Sequence, residues 1–195
     1  MKLLEDRIRK DGKILPGDVL KIDNFLNHQV DTKLMEEIGE EFYRLFKDSG
    51  AAKILTIESS GIAIAQATSK YFGYLPFVFA KKTVAANMAK NAYEAKETSY
   101  TRNIEYTVQV SREYLNENDK VLILDDFLAN GEAMNSLIQI CRQANAEVVG
   151  CGSVVCKTYQ PGEKRIRDLG YEVKVLARIK SMSEDGQIEF EEQEE

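Results

Sequence analysis

The chain has little of what marks several large protein classes. Among 195 residues there is no tryptophan, one histidine, three prolines and three cysteines. Cys141, Cys151 and Cys156 are odd in number and form no Cys-x-x-Cys pair. That argues against a disulfide scaffold and leaves reduced core thiols as the simplest reading. No apolar run approaches the ~20 residues that a bilayer span requires. The first seven residues are charged and lack a secretory apolar core or cleavage site, so a soluble, cytoplasmic protein is expected, with no membrane partner. Positive charge is also scarce: 26 Lys and Arg against 32 Asp and Glu give a net charge of −6. Non-specific nucleic-acid binding needs a positive field, so no nucleic-acid partner is expected. A phosphate-rich small molecule stays possible, because backbone amides, a few placed lysines and Mg²⁺ can handle it locally. Much of the acidic excess lies in residues 189–195, read as a solvated tail.

What is present fits one well-filled domain over residues 1–195. Leu3, Leu4 and Ile8 among charges suggest a short amphipathic helix ended by Gly12, and Pro16-Gly17-Asp18 marks a turn. A short strand covers 19–22. Asp31 is a good N-cap for a helix in which Leu34, Met35, Ile38, Phe42, Leu45 and Phe46 recur at helical spacing until Gly50. Residues 53–58 read as a strand, 62–71 as a small-residue helix, and 76–80 as another strand leading to Lys81-Lys82. The polar, Ala-rich segment 83–102 reads as an exposed loop or lid. Alternation at Ile104, Tyr106, Val108 and Val110 marks a strand with one wet face. Later strands are expected at 121–124, 147–157, 171–179 and 187–190, and helices from Gly131 to about Ala144 and over 161–169. Strands alternating with helices predict an α/β domain on a mostly parallel sheet.

The most informative stretch is Val121-Leu122-Ile123-Leu124-Asp125-Asp126-Phe127-Leu128-Ala129-Asn130-Gly131-Glu132-Ala133. An apolar strand is followed by two carboxylates, a small-residue turn and a helix start. Ligands of open α/β sheets bind beyond the strands' carboxyl ends, where helix N-termini offer free N–H groups to anions. The arrangement suggests a phosphate seat at 129–133 beside acids suited to hydroxyls or a divalent ion. Four strand ends can share that edge: Glu58-Ser59-Ser60-Gly61, Lys81-Lys82, Asp125-Asp126 and Lys157. His28, the sole histidine, has no matching acid or nucleophile nearby in sequence and is read as structural or solvated. Tyr93, Tyr100 and Tyr106 are read as packing or subunit-contact residues.

The stretch 124–131, together with Leu20-Lys21-Ile22-Asp23-Asn24-Phe25-Leu26-Asn27-His28-Gln29, Ile57-Glu58-Ser59-Ser60-Gly61-Ile62-Ala63 and Lys157-Thr158-Tyr159-Gln160-Pro161-Gly162, resembles the bacterial xanthine phosphoribosyltransferases. These are a branch of the type I phosphoribosyltransferase family, and the similarity spans nearly the whole chain. The resemblance implies the family's fold, a mostly parallel sheet flanked by helices with a small hood from the N- and C-terminal segments. It implies a homodimer that transfers ribose 5-phosphate from phosphoribosyl pyrophosphate (PRPP) to N9 of xanthine, with Mg²⁺ brought through the substrate and no protein metal ligand assigned. By position, Asp125 and Asp126 would hold the ribose hydroxyls. Ala129, Asn130, Gly131, Glu132 and Ala133 would wrap the 5′-phosphate, and Glu58, Ser59, Ser60, Gly61, Lys81 and Lys82 would meet the pyrophosphate. Leu20, Asn27 and Lys157 would line the xanthine pocket, with Phe127 flanking the base, and 83–102 would be the mobile catalytic loop. Many relatives carry Thr-Gly-Gly-Thr where this chain has Asn130-Gly131-Glu132-Ala133. Glu132 is therefore expected to point to solvent, and Gly61 to permit an unusual backbone turn.

Three other readings compete. A purine-responsive transcription regulator on the same fold needs a DNA-binding module; only about a dozen residues precede Ile14, and the chain is acidic. A phosphoryl-receiver domain would place its acid pair near the first strand, whereas here the pair comes late. A guanine or hypoxanthine phosphoribosyltransferase stays open, because an amide such as Asn27 can flip between donor and acceptor.

Overall fold

The computed structural model describes residues 1–82, 91–99, 104–183 and 185–192. The chain opens with helix α1 (Lys2–Asp11), a hairpin of β1 (Lys13–Leu15) and β2 (Val19–Lys21), and one π-helical turn (Asp23–Asn27). Helix α2 (Thr32–Phe46), β3 (Lys53–Ile57), α3 (Ser60–Tyr71) and β4 (Phe77–Ala80) follow. A second hairpin pairs β5 (Ala92–Ser99) with β6 (Ile104–Ser111). The chain continues through β7 (Lys120–Leu128), α4 (Glu132–Gln143), β8 (Glu147–Lys157), α5 (Gly162–Asp168), β9 (Val173–Met182) and β10 (Ile188–Phe190).

Six strands form the central sheet in the order β10-β9-β8-β7-β3-β4, parallel throughout except for β10 against β9. After β3 the chain steps to one side, to β4, and then returns to place β7 on the other side of β3. Strand order reverses at β3/β7, and an open α/β sheet forms its ligand crevice at that reversal. The two faces carry separate cores. Leu122 and Leu124 of β7 pack with Phe42, Phe46 and Ile64 of α2 and α3, while Val121 and Ile123 pack with Leu137, Ile138 and Cys141 of α4. Alternation along one strand thus feeds both layers.

Helix α2 forms for the reasons its sequence gives. The Asp31 carboxylate accepts from the Lys33 and Leu34 amides, both at 3.1 Å, and Leu34, Met35, Ile38, Phe42 and Phe46 are all buried. Each such side chain contributes about 1.5–3 kcal/mol by leaving water. The N- and C-terminal segments meet where the Arg9 guanidinium lies 4.5 Å from the Phe190 ring centroid, and the N-terminal hairpin and the π-helical turn reach the carboxyl edge of the sheet through Asp18 and Asn27 respectively.

Three features differ from the sequence reading. Strand β7 runs through both acids to Leu128 instead of ending at Leu124, because Asp125, Phe127 and Leu128 still pair with β8. The segment expected as an exposed loop contains β5, whose Tyr93 and Ala95 are buried against the α4 layer. Residues 83–90 and 100–102 of that segment, with Tyr100, lie outside the described residues. The π-helical turn and β1 had no counterpart in the sequence reading.

Candidate active site

At the end of β3, Glu58 and Ser59 are joined by a cis peptide, and Ser60 starts α3. The Glu58 carboxylate accepts the Lys82 amide at 2.6 Å, tying this turn to the end of β4. Gly61 is not among the glycines with positive φ. Its role is close approach: a Cβ there would lie 1.8 Å from the Thr56 hydroxyl on β3. The bare α-carbon lets α3 start directly against the strand, leaving its first-turn amides at the sheet edge.

Glu58, Ser59, Ser60 and Lys82 line one open cleft of about 570 Å³ with Asp23, Asn27 and His28. Lys81 does not join them; it lines a separate groove with Pro76, Phe77 and Tyr114. The doublet therefore divides, as neighbours on extended chain do.

Asp126 is half-buried and bound to this cleft: the Asn27 side-chain amide donates to its Oδ2 at 2.8 Å. That bond joins a residue expected at the base to one expected at the ribose across 99 positions. Asp125 is 4% exposed, and its Oδ1 accepts the Asp126 amide at 2.9 Å. Asp126 is thus the more accessible acid and Asp125 the one set into the protein.

The loop after β7 is shaped by two glycines. Gly131 has φ +80° and caps α4, a conformation that costs other residues about 1–2 kcal/mol. The Gly162 amide donates to the Ala129 carbonyl at 3.0 Å, and a Cβ on Gly162 would fall 2.3 Å from that carbonyl oxygen. The start of α5 therefore backs the loop formed by Ala129, Asn130 and Gly131. The amides of Glu132 and Ala133 lie in the first turn of α4, where no carbonyl within the helix can accept them. Glu132 does not extend freely into solvent: its carboxylate pairs with Arg165 of α5, which directs its charge to that helix.

Lys157 ends β8 with 5% exposure, its ammonium 5.8 Å from the Phe127 ring centroid. It donates to the Asp18 carbonyl and, at 3.2 Å, to the Asp18 carboxylate. Leu20 is buried in the core beside Ile22. Asp18, Asp23, Tyr159 and Gln160 had no role in the sequence reading. Tyr159 and Gln160 lie in a quoted motif, but no sequence signal says that their turn meets the β1–β2 turn.

The Ser-Ser turn and Lys82 line the cleft, Asn27 ties its wall to Asp126, and the adjacent acids lead into the loop and the first turn of α4. The chain belongs to the phosphoribosyl transferase domain family, whose model matches residues 22–191. Among curated relatives, it is 51% identical to xanthine phosphoribosyltransferase 2 of Clostridium botulinum (strain Hall) over 95% of this chain and 97% of the relative. It is 50% identical to the xanthine phosphoribosyltransferase of Finegoldia magna over 96% of this chain and 98% of that protein. Among solved structures, an APRTase from Giardia lamblia complexed with 9-deazaadenine matches with a TM-score of 0.76 at 19% identity, covering 90% of this chain and 97% of that one. That likeness concerns the fold.

Proposed function

We propose that this enzyme transfers the 5-phosphoribosyl group of PRPP to N9 of xanthine, giving xanthosine 5′-monophosphate and pyrophosphate. The observation that carries the reading is the Asn27–Asp126 hydrogen bond of 2.8 Å, which couples a residue of the cleft wall, expected at the base, to the acid expected at the ribose. Identity near 50% to relatives named for xanthine, over nearly full length, supports the choice of base.

Breaking the glycosyl–pyrophosphate bond develops positive charge on the ribose and negative charge on the leaving group, so no protein nucleophile is needed. Asp126, backed by Asp125, binds the ribose hydroxyls and places a carboxylate near the ring. The loop at Ala129, Asn130 and Gly131 and the first-turn amides of α4 seat the 5′-phosphate. Ser59, Ser60 and Lys82 stabilise the departing pyrophosphate with fixed donors, so little reorganisation accompanies bond breaking. Lys81, in the groove along edge strand β4, would meet a second copy of the chain docked there. The half-buried Phe77, Val78 and Phe79 support a homodimer through that edge. Free, buried cysteines suit the cytoplasm.

Among the described residues no group of three or more His, Cys, Asp or Glu side chains is placed to hold a metal. The donor set that exists, Asp125 and Asp126 beside the phosphate seats, suits an ion bound through one or two carboxylates and substrate phosphates. Mg²⁺ held there would neutralise developing charge on the pyrophosphate.

The test is the double variant Asp125→Asn with Asp126→Asn. It should keep the wild-type circular dichroism spectrum and lose on the order of a hundredfold or more in kcat, as loss of placed electrostatic groups does. Turnover within a factor of about two of wild type would refute the assignment.

A further inference from the structure

Asp18 is a meeting point that the transfer reaction as described does not use. It sits on the turn between β1 and β2 with φ +62°, and three side chains from the last residue of β8 and the turn after it converge on it. Lys157 donates to its Oδ2 at 3.2 Å and to its carbonyl oxygen. The Tyr159 hydroxyl donates to Oδ1 at 2.7 Å, and Gln160 Nε2 donates to Oδ2 at 3.0 Å. The Lys157 side chain is 6% exposed and that of Asp18 is 41% exposed, so the turn covers a buried ammonium with a partly wet carboxylate.

An ammonium has three N–H donors and rotates freely on a flexible stem. Two of the Lys157 donors are committed to Asp18, which leaves one for another acceptor, and the Phe127 ring lies beside the ammonium with its centroid 5.8 Å away. Asp18 is itself held. Burial and the Asp18 carboxylate both push the Tyr159 phenol up, so it stays a donor. The amide orientation of Gln160 is set by the carboxylate, since the opposite flip would bring two acceptors together; its Oε1 is buried without a partner among the described residues.

We propose that Asp18 is a positioning residue for the purine: with Tyr159 and Gln160 it orients the Lys157 ammonium so that a single N–H addresses a carbonyl oxygen of the base. The inference rests on the phosphoribosyl-transfer reading of the cleft. A fixed cation favours oxo-purines, which present an acceptor, and disfavours amino-purines, which present a donor.

Glycine suits a positive φ, so Asp18→Gly removes the carboxylate and retains the turn. Its KM for xanthine should rise about tenfold, the size expected for a hydrogen bond to a charged group, with KM for PRPP and kcat within about twofold of wild type. Asp18→Asn, which keeps a side-chain acceptor, should recover part of the loss. In a Lys157→Ala background, Asp18→Gly should change KM for xanthine by less than about twofold, because the residue acts through the lysine. Equal effects in both backgrounds, an equal rise for PRPP, or no rise at all would each overturn the positioning role while leaving the transfer reading intact. Absence of xanthine turnover in the wild-type enzyme would overturn the transfer reading and this inference with it.

Discussion

Asn27→Asp is nearly isosteric, yet it replaces the donor in the hydrogen bond that joins the cleft wall to Asp126 with an acid. In the native protein the Asn27 amide donates to Asp126 Oδ2 at 2.8 Å, partly shielded from solvent. The substitution puts a second carboxylate at that distance. Two like charges about 4 Å apart repel by about 4 kcal/mol at an effective dielectric of 20, and the half-exposure of both residues lowers that figure through solvent screening. The pair relieves the repulsion by sharing a proton, which raises one of its two apparent pKa values. Protonated, the pair restores a hydrogen bond of native geometry; with both groups ionised, it cannot. Activity of Asn27→Asp relative to wild type should therefore fall as pH rises from about 5 to 8, reaching a deficit on the order of tenfold or more at the alkaline end. Asn27→Ala, which cannot share a proton, should show a deficit independent of pH. The assay is kcat/KM for xanthine across that range, taken as the ratio to wild type so that titration of the purine cancels. A flat ratio for Asn27→Asp would refute the coupling.

Two further outcomes follow from the packing around the site. Gly61→Ala places a methyl 1.8 Å from the Thr56 hydroxyl; the overlap should cost about 1–3 kcal/mol and lower the thermal midpoint by roughly 2–4 °C per kcal/mol. An unchanged melting curve would show that α3 can move away from β3 freely. Glu163 is pushed up by desolvation and pulled down more strongly by hydrogen bonds from Arg178 and Arg167, so its pKa ends below the ordinary 4.5. A carboxylate depressed on folding stabilises the native state above its unfolded pKa and loses that contribution as pH falls through the folded value. Denaturant midpoints measured from pH 6 down to 3 should fall more steeply for wild type than for Glu163→Gln, and parallel curves would contradict the pairing.

How much was legible varies with the kind of signal. The apolar run 121–124 and its acids were readable because a doubly covered parallel strand is apolar on both faces and its carboxyl end is where polar groups appear. Helix α2 announced itself through Asp31 and five buried apolar positions. Strand β5 did not, because in Ala92-Tyr93-Glu94-Ala95-Lys96 the covered side carries only Tyr93 and Ala95, and a tyrosine with an alanine marks a core weakly. The end of β7 was misplaced because Asp125 is a strand residue that looks like a turn residue; only its register opposite Ser153 keeps it extended. At the site, residue types at strand ends located the acids, the Ser-Ser-Gly turn and Lys157. The division of Lys81 from Lys82, the Glu132–Arg165 pair and the convergence on Asp18 depend on contacts between distant segments, which local patterns do not encode. The Asp18–Lys157 contact spans 139 positions.

The central claim is that one cleft receives a phosphorylated sugar and an oxo-purine together. Purified enzyme should be given PRPP and Mg²⁺ with xanthine, guanine, hypoxanthine or adenine in separate reactions, and the nucleotide formed identified by mass and chromatography. The account predicts xanthosine 5′-monophosphate with the highest kcat/KM for xanthine and the least product from adenine; no nucleotide from any purine, or adenine preferred over xanthine, would contradict it.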